Sequence, residues 1–210
     1  MTLSPEARLY GILDLGYVEK DHATAVAHSL ILGGASLLQL RAKGHDPATL
    51  LDLANELNLL CSKHHVPFII NDHIKLAKDC GAPGLHLGQE DGSIDEARAI
   101  LGPHMLIGRS THSVEQAQAA LAEGADYIGF GPLFPTPTKK GRPGIGMGNI
   151  AIVEDSVGSY IPVFCIGGIK PNNLSEVRAA GAKRVVVVSH LLTASDVQAE
   201  TQSLINTLTQ

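Results

Sequence analysis

The chain has 210 residues, of which 44% are hydrophobic and 18% charged, and 16 Lys and Arg against 21 Asp and Glu give a net charge of −5. This size and apolar content allow a substantial core and exclude a disordered chain. Because the net charge is negative, no general field attracts nucleic acid or an anionic membrane, and any basic site must be local.

The N-terminal segment carries charges where a signal peptide would be apolar, and no apolar run approaches the roughly 20 residues of a membrane span. Cys61, Cys80 and Cys165 are far apart and show no CxxC spacing. Such cysteines are typical of a reducing compartment, so we expect small buried thiols in a cytoplasmic protein.

Short apolar runs alternate with stretches of helical periodicity along the whole chain. We predict strands in the runs 8–15, 36–43, 67–72, 84–89, 105–111, 127–132, 162–168 and 184–192. Eight strands, each followed by a helix, indicate an α/β protein with a single (β/α)8 TIM barrel as one domain over residues 1–210. A doubly wound open sheet is the rival, but the segment after the first strand lacks its glycine-rich fingerprint.

A Gly-Ala pair precedes every second predicted strand, at positions 34–35, 81–82, 124–125 and 181–182. Glycine is favoured in the left-handed conformation that ends many helices. The spacing therefore predicts helix ends at these four glycines and supports a repeated two-strand unit.

Active sites of TIM barrels lie at the C-terminal ends of the strands. Gln39, Arg41 and Lys43 alternate near the end of the second strand, so we expect their side chains to share one face. Two cations in a barrel mouth favour an anion site, and solvated surface charges are the alternative.

Asp72 and Asp91 follow the third and fourth strands. Two carboxylates beside two cations suggest Mg²⁺ bridging the protein to a diphosphate. Ion pairs between these acids and Arg41 or Lys43 would give the same sequence pattern, so both interpretations stay open.

A second anion site is predicted after the seventh and eighth strands, where Gly167-Gly168 and Ser189 follow the apolar runs. Loops at this place in the barrel commonly bind phosphate through backbone N–H groups. A plain tight turn is the alternative.

The segment 133–148 is too long for an ordinary connection and carries Thr136, Thr138 and Lys139, so we expect a mobile lid rather than a disordered insertion. Among the ten histidines, His112, just past the fifth strand, is the one that we consider as a possible general acid/base, and a structural hydrogen-bonding role is the alternative.

Seven strings occur in an order and spacing that resemble thiamine phosphate synthase over residues 8–192, namely QLRAKG, FIIND, GLHLGQED, GRSTH, YIGFGPLFPTPTKKG, IGGI and VVVVS. The resemblance implies a transferase that joins a hydroxymethylpyrimidine diphosphate to hydroxyethylthiazole phosphate and releases pyrophosphate. It implies that the pyrimidine diphosphate is bound by Gln39, Arg41, Lys43, Asn71, Ser110 and Lys139, of which Arg41, Lys43, Ser110 and Lys139 would be catalytic. It further implies Mg²⁺ on Asp72 and Asp91, and thiazole phosphate on Thr136, Pro137, Thr138, Gly168, Val188 and Ser189.

Two other functions are compatible with parts of the sequence. The thiazole tautomerases share this barrel, and His112 matches the position of their acid/base histidine, but their resemblance lacks the paired carboxylates present here. A non-catalytic protein that binds thiazole or thiamine phosphate would need neither those carboxylates nor Lys139. The chain departs from the synthase pattern at His190, which we expect to crowd or cap the phosphate site.

The expected partners are therefore small-molecule substrates, with no nucleic acid and no membrane. A homodimer is left open.

Overall fold

The structure is a computed structural model that describes residues 3–136, 138 and 143–209. Eight parallel strands form a closed barrel in chain order, which confirms the predicted TIM barrel. The strands are β1 (Leu9–Asp14), β2 (Leu37–Arg41), β3 (Phe68–Asn71), β4 (Gly84–Leu87), β5 (Leu106–Thr111), β6 (Tyr127–Phe130), β7 (Val163–Ile166) and β8 (Val185–Val187).

The connections between these strands contain the helices of the outer layer. They are α1 (Ala23–Leu32), α2 (Leu51–Lys63), α3 (Ile74–Asp79), α4 (Ile94–Leu101), α5 (Val114–Ala122), α6 (Ile150–Ser156), α7 (Pro171–Ala179), α8 (Ser189–Leu192) and α9 (Val197–Thr209). Short turns of 3-10 helix precede α1 and α2. No helix in the described part of the chain is both long and apolar enough to cross a membrane.

Local sequence signals explain several helix ends. Ser93 precedes α4, accepts from the backbone N–H of Glu96 at 3.1 Å, and donates its own backbone N–H to the Glu96 carboxylate at 3.0 Å, which forms a capping box. The four glycines of the Gly-Ala pairs have φ of 103°, 62°, 82° and 110°, so each adopts the predicted left-handed conformation.

The barrel interior contains a compact cluster of aromatic rings. Tyr10, Tyr127 and Phe164 are at most 2% exposed and meet edge to face, with centroids 5.3 to 5.9 Å apart. A second, larger layer of aliphatic side chains packs between the strands and the helices. Three of the eight aromatic residues of the chain thus meet inside the barrel.

All three cysteines are free and buried, as expected from the sequence. Burial raises the pKa of the Cys61 and Cys165 thiols to about 12, and it also raises the pKa of Cys80. The three side chains therefore behave as small apolar groups.

Two sequence-based boundaries are wrong. The predicted strand 184–192 ends at Val187, and Ser189–Leu192 forms α8. The strand β2 ends at Arg41, so Lys43 lies in the following turn and does not share a strand face with Gln39. In both places an apolar or alternating pattern continues beyond the last residue that pairs in the sheet.

We expect Gly108→Ala to lower the free energy of unfolding by about 1–3 kcal/mol, the usual range for overpacking. A Cβ at this position would lie 2.1 Å from Cζ of the fully buried Tyr127. Urea unfolding measures the change, with Gly148→Ala as the control because no described atom lies within 4 Å of its added Cβ. Equal stability of the two variants would contradict the packing argument.

Candidate active site

A single pocket occupies the mouth of the barrel at the C-terminal ends of the strands. Its open volume is about 870 Å³, counting the part that faces solvent, which is in the range of small-molecule sites. Apolar walls come from Ile12, Ile166 and Val186. The predicted site residues that line it are Gln39, Arg41, Asn71, Ser110, His112, Thr136, Thr138, Gly168, Val188 and Ser189.

Three further predicted site residues lie outside the pocket lining. Lys43, Asp72 and Asp91 are not among the residues that line this pocket and belong to the turns that follow β2, β3 and β4. Pro137 and Lys139 lie outside the described residues, as do Lys140 and Arg142 of the predicted lid.

Arg41 is held by an acidic residue that the sequence analysis missed. Asp14 ends β1, is 2% exposed, and forms an ion pair with the guanidinium of Arg41, its register partner on β2. The other oxygen of Asp14 accepts from the backbone N–H of Gly16 at 2.9 Å. Since a guanidinium has five N–H donors, Arg41 can keep this partner and still present donors to an anion in the pocket.

Lys43 is paired with Asp72, at 2.6 Å between Nζ and Oδ2. The Lys43 side chain is 56% exposed and that of Asp72 only 10%. Asp72 has a φ of 64°, an uncommon backbone conformation for a residue other than glycine, and its N–H donates to the His86 carbonyl at 2.9 Å. The ion-pair alternative therefore describes Lys43 and Asp72, whereas Arg41 pairs with Asp14.

Asp72 also faces Asp91. Burial raises the pKa of Asp72, the Asp91 carboxylate within hydrogen-bonding reach raises it further, and Lys43 acts in the opposite direction. Asp91 is fixed in turn, because its Oδ2 accepts from the Gly88 N–H at 2.9 Å. Two carboxylates held together against their repulsion offer hard oxygen ligands for a divalent cation, although the described residues contain no cluster of three or more metal-ligating side chains.

The loop that carries Asp91 is anchored by Arg109 of β5. Its Nη1 donates to the carbonyls of Gly88 at 3.0 Å and Gly92 at 2.7 Å, and the residue is only 9% exposed. Arg109 is therefore committed to the protein and acts through the position of Asp91.

Ser110 lies at the end of β5 and its hydroxyl is 2.9 Å from Nε2 of His86. His86 is on β4, is 8% exposed, and was not recognised from sequence as a site residue. The alternation of polar and apolar residues in GLHL was the available signal, since it places His86 on the inward face of the strand.

The opposite side of the mouth follows β7 and β8. Gly167 and Gly168 have φ of 100° and 67°, and a Cβ on Gly167 would lie 2.4 Å from Cα of Pro132. These glycines thus form a tight turn that packs against the segment after β6, while Gly168 also lines the pocket beside Val188 and Ser189. The Thr138 hydroxyl lies 3.1 Å from the Tyr17 hydroxyl, which connects this side to the loop after β1.

The two histidines singled out from sequence differ in position. His112 lines the pocket, its Nδ1 bonds to the Gly131 carbonyl, and its backbone N–H donates to Gln116 at 2.8 Å. His190 is 2.7 Å from the Glu200 carboxylate on α9 and is not a lining residue of the pocket. The expectation that His190 crowds the phosphate site is therefore not met.

The chain is similar to known proteins in both sequence and fold. Thiamine-phosphate synthase of Nostoc sp. is 47% identical over 176 residues, which cover 84% of this chain and 50% of that protein. The corresponding protein of Shouchella clausii is 39% identical over 199 residues, 94% of both chains. Thiamine phosphate pyrophosphorylase from Pyrococcus furiosus superposes with a TM-score of 0.85 at 30% identity over 98% of each chain.

The chain spans about half the length of some of these curated relatives, including those of Nostoc sp. at 50% and Gloeobacter violaceus at 49%. Residues 9–191 match the family model described as thiamine monophosphate synthase. This chain belongs to the thiamine monophosphate synthase family.

Proposed function

We propose that this protein is a transferase that synthesises thiamine phosphate. It would join 4-amino-2-methyl-5-(diphosphooxymethyl)pyrimidine to hydroxyethylthiazole phosphate and release pyrophosphate. Family membership supports the reaction, as do the names of relatives that match along nearly their whole length, such as the thiamine-phosphate synthase of Shouchella clausii.

The observation that carries the proposal is that two separate groups of candidate anion-binding residues lie at one barrel mouth. Arg41, with Lys43 and the facing acids Asp72 and Asp91 nearby, belongs to the loops and strand ends from β2 to β4. Gly168 and Ser189 follow β7 and β8. A reaction between one diphosphate and one phosphate substrate requires such a pair of sites on one pocket.

We assign Mg²⁺ to Asp72 and Asp91, whose carboxylates would supply hard oxygen ligands. The fit rests on the proximity of the two carboxylates and on the raised pKa of Asp72, which a divalent cation would reverse. The metal would neutralise charge on the diphosphate leaving group.

The protein's own cations would act on the same leaving group. Arg41 and Lys43 donate to the diphosphate, and Lys139, assigned by resemblance, adds a third positive charge. The bond between the pyrimidine methylene carbon and the diphosphate oxygen breaks, and its electron pair leaves with pyrophosphate. The aminopyrimidine delocalises the resulting positive charge, and the thiazole nitrogen donates its lone pair to form the new carbon–nitrogen bond.

The remaining site residues would align the substrates and exclude water. We assign Gln39, Asn71 and Ser110 to the pyrimidine diphosphate, and Thr136, Pro137, Thr138, Gly168, Val188 and Ser189 to the thiazole phosphate. The apolar walls at Ile12 and Ile166 would keep water from capturing the cation.

The tautomerase and the non-catalytic binder are not favoured. The pair of facing carboxylates and the cations beside it have a purpose in diphosphate release and none in isomerising a thiazole. A single domain over 1–210 with a lid at 133–148, a cytoplasmic location and a homodimer stay predictions.

Purified protein with both substrates and Mg²⁺ is expected to form thiamine phosphate and pyrophosphate in equal amounts. Chromatography of the thiamine product and an enzyme-coupled pyrophosphate assay measure the two yields. Isomerisation of a thiazole carboxylate without pyrophosphate would contradict the proposal in favour of a tautomerase, and tight binding without turnover would favour a non-catalytic binder.

We expect Asp91→Asn to lower kcat/KM about 100-fold or more at saturating Mg²⁺, because one metal-binding carboxylate is lost while the bond from Gly88 can be kept. The matched control is Glu90→Gln, which removes the same charge from the exposed neighbouring residue. Near-normal activity of Asp91→Asn would rule out the metal assignment.

In the absence of metal, the same variant is expected to be more stable than wild type, by about 0.5–2 kcal/mol near neutral pH. The pKa of Asp72 is raised in the folded protein, so ionisation of Asp72 opposes folding. The protonated carboxyl contributes stability at low pH, and this contribution is lost as the pH rises through the raised pKa. Replacing Asp91 removes part of the repulsion.

Urea unfolding in EDTA at about pH 4 and about pH 7 measures this effect, and the gain should be larger at the higher pH. A variant that is less stable than wild type at both pH values would show that the two carboxylates do not repel each other.

A further inference from the structure

A continuous row of hydrogen bonds crosses the inside of the barrel and joins two residues assigned to the pyrimidine substrate. Gln39 Nε2 lies 2.6 Å from the Tyr10 hydroxyl, which lies 2.9 Å from the Tyr127 hydroxyl. Tyr127 is 3.2 Å from His86 Nδ1, and His86 Nε2 is 2.9 Å from the Ser110 hydroxyl. We call these five side chains the relay.

The relay is unusual in its burial. Gln39 is 1%, Tyr10 2%, Tyr127 0% and His86 8% exposed, although each carries a polar group. The side chains come from five strands, and the contacts from β1 to β6 and from β6 to β4 join strands that are not neighbours in the sheet. A core of this size could be filled with aliphatic side chains, so the polar row calls for a purpose other than packing.

The chemistry of the groups favours one direction of donation along the row. The amide nitrogen of Gln39 can only donate, so the Tyr10 hydroxyl accepts there and its own proton is available for Tyr127. Burial raises the pKa of both tyrosines far above neutrality, so each hydroxyl keeps the proton that it donates. The Tyr127 proton is then available for Nδ1 of His86, and that arrangement would leave the imidazole proton on Nε2, which faces the Ser110 hydroxyl.

We propose that His86 is a positioning residue: it accepts from Tyr127 and donates to Ser110, which fixes the Ser110 hydroxyl as a hydrogen-bond donor toward the departing diphosphate. Because Oγ of Ser110 already accepts from His86, its own proton is directed elsewhere. Since Ser110 lines the pocket, this proton would point toward the bound substrate. The same row orients Gln39, because its amide nitrogen donates to Tyr10 inside the barrel and its amide oxygen can then accept from the pyrimidine. The inference rests on the proposed function for the identity of the substrate.

Tyr127→Phe tests the relay at a residue that does not line the pocket. The ring that fills the space beside Gly108 is kept, and only the hydroxyl between Tyr10 and His86 is lost. We expect the single-turnover rate at saturating substrate to fall about 10-fold, and the steady-state KM to change less than about 3-fold. A donor aimed at the leaving group acts mainly in the transition state. Tyr160→Phe, on an exposed tyrosine, is the control.

A double-mutant cycle separates positioning from a structural effect. Ser110→Ala alone should cost about 100-fold, and adding Tyr127→Phe to it should cost nothing further, because the relay acts through the Ser110 hydroxyl. Losses that multiply, or a folded Tyr127→Phe with the wild-type rate, would overturn the proposal.

The tautomer of His86 can be measured on the wild-type protein by spectroscopy. This measurement depends neither on activity nor on the stability of Tyr127→Phe. In long-range ¹H–¹⁵N correlation spectra, with the signal of His86 assigned through His86→Gln, we expect the proton on Nε2 and an unprotonated Nδ1. A proton on Nδ1 would overturn the relay. Absence of pyrophosphate release by wild type would instead refute the proposed function, so the two failures are distinguishable.

Discussion

Closure of the sheet between its first and last strands is the constraint on which the site depends. β1 pairs with β8 through Leu9 and Val185, and the Val185 N–H donates to the Arg8 carbonyl at 2.9 Å. In an open sheet of eight parallel strands, Arg41 and Ser189 would lie near opposite edges. In the closed ring they line the same pocket, and Asp14, at the end of the closing strand, holds Arg41 in place.

The mouth combines charges that would not assemble for stability alone. A buried Asp14 pairs with Arg41, Lys43 pairs with Asp72, and Asp72 also faces the like charge of Asp91. The first two contacts keep the cations oriented while their remaining donors can bind an anion. The contact between Asp72 and Asp91 is unfavourable in the free protein. Such like-charge contacts are common at sites that bind a ligand of opposite charge. The chain is acidic as a whole, yet Arg41 lines the pocket in which a phosphate would bind.

Much of this architecture could be predicted from sequence, and the exceptions have physical causes. Eight apolar runs identify eight strands, because the interior of a barrel imposes burial at regular intervals. The run 184–192 was predicted as one strand since periodicity does not separate a short buried strand from an apolar helical turn such as Ser189–Leu192. The alternation in GLHL places His86 on the inward face of its strand, but the partners of Asp14 and His86, Arg41 and Ser110, are 27 and 24 residues away, and no local pattern identifies them.

The burial of every thiol has a practical consequence for work on this protein. Cys61, Cys80 and Cys165 are buried, and burial raises the pKa of each thiol, so the folded state disfavours attack on them by maleimides and mild oxidants. A single cysteine introduced on the outside, for example at the 75% exposed Tyr160, would therefore accept a fluorophore without the removal of any native cysteine. Unfolding would expose the native thiols, so the rate of their alkylation would report how often the barrel opens.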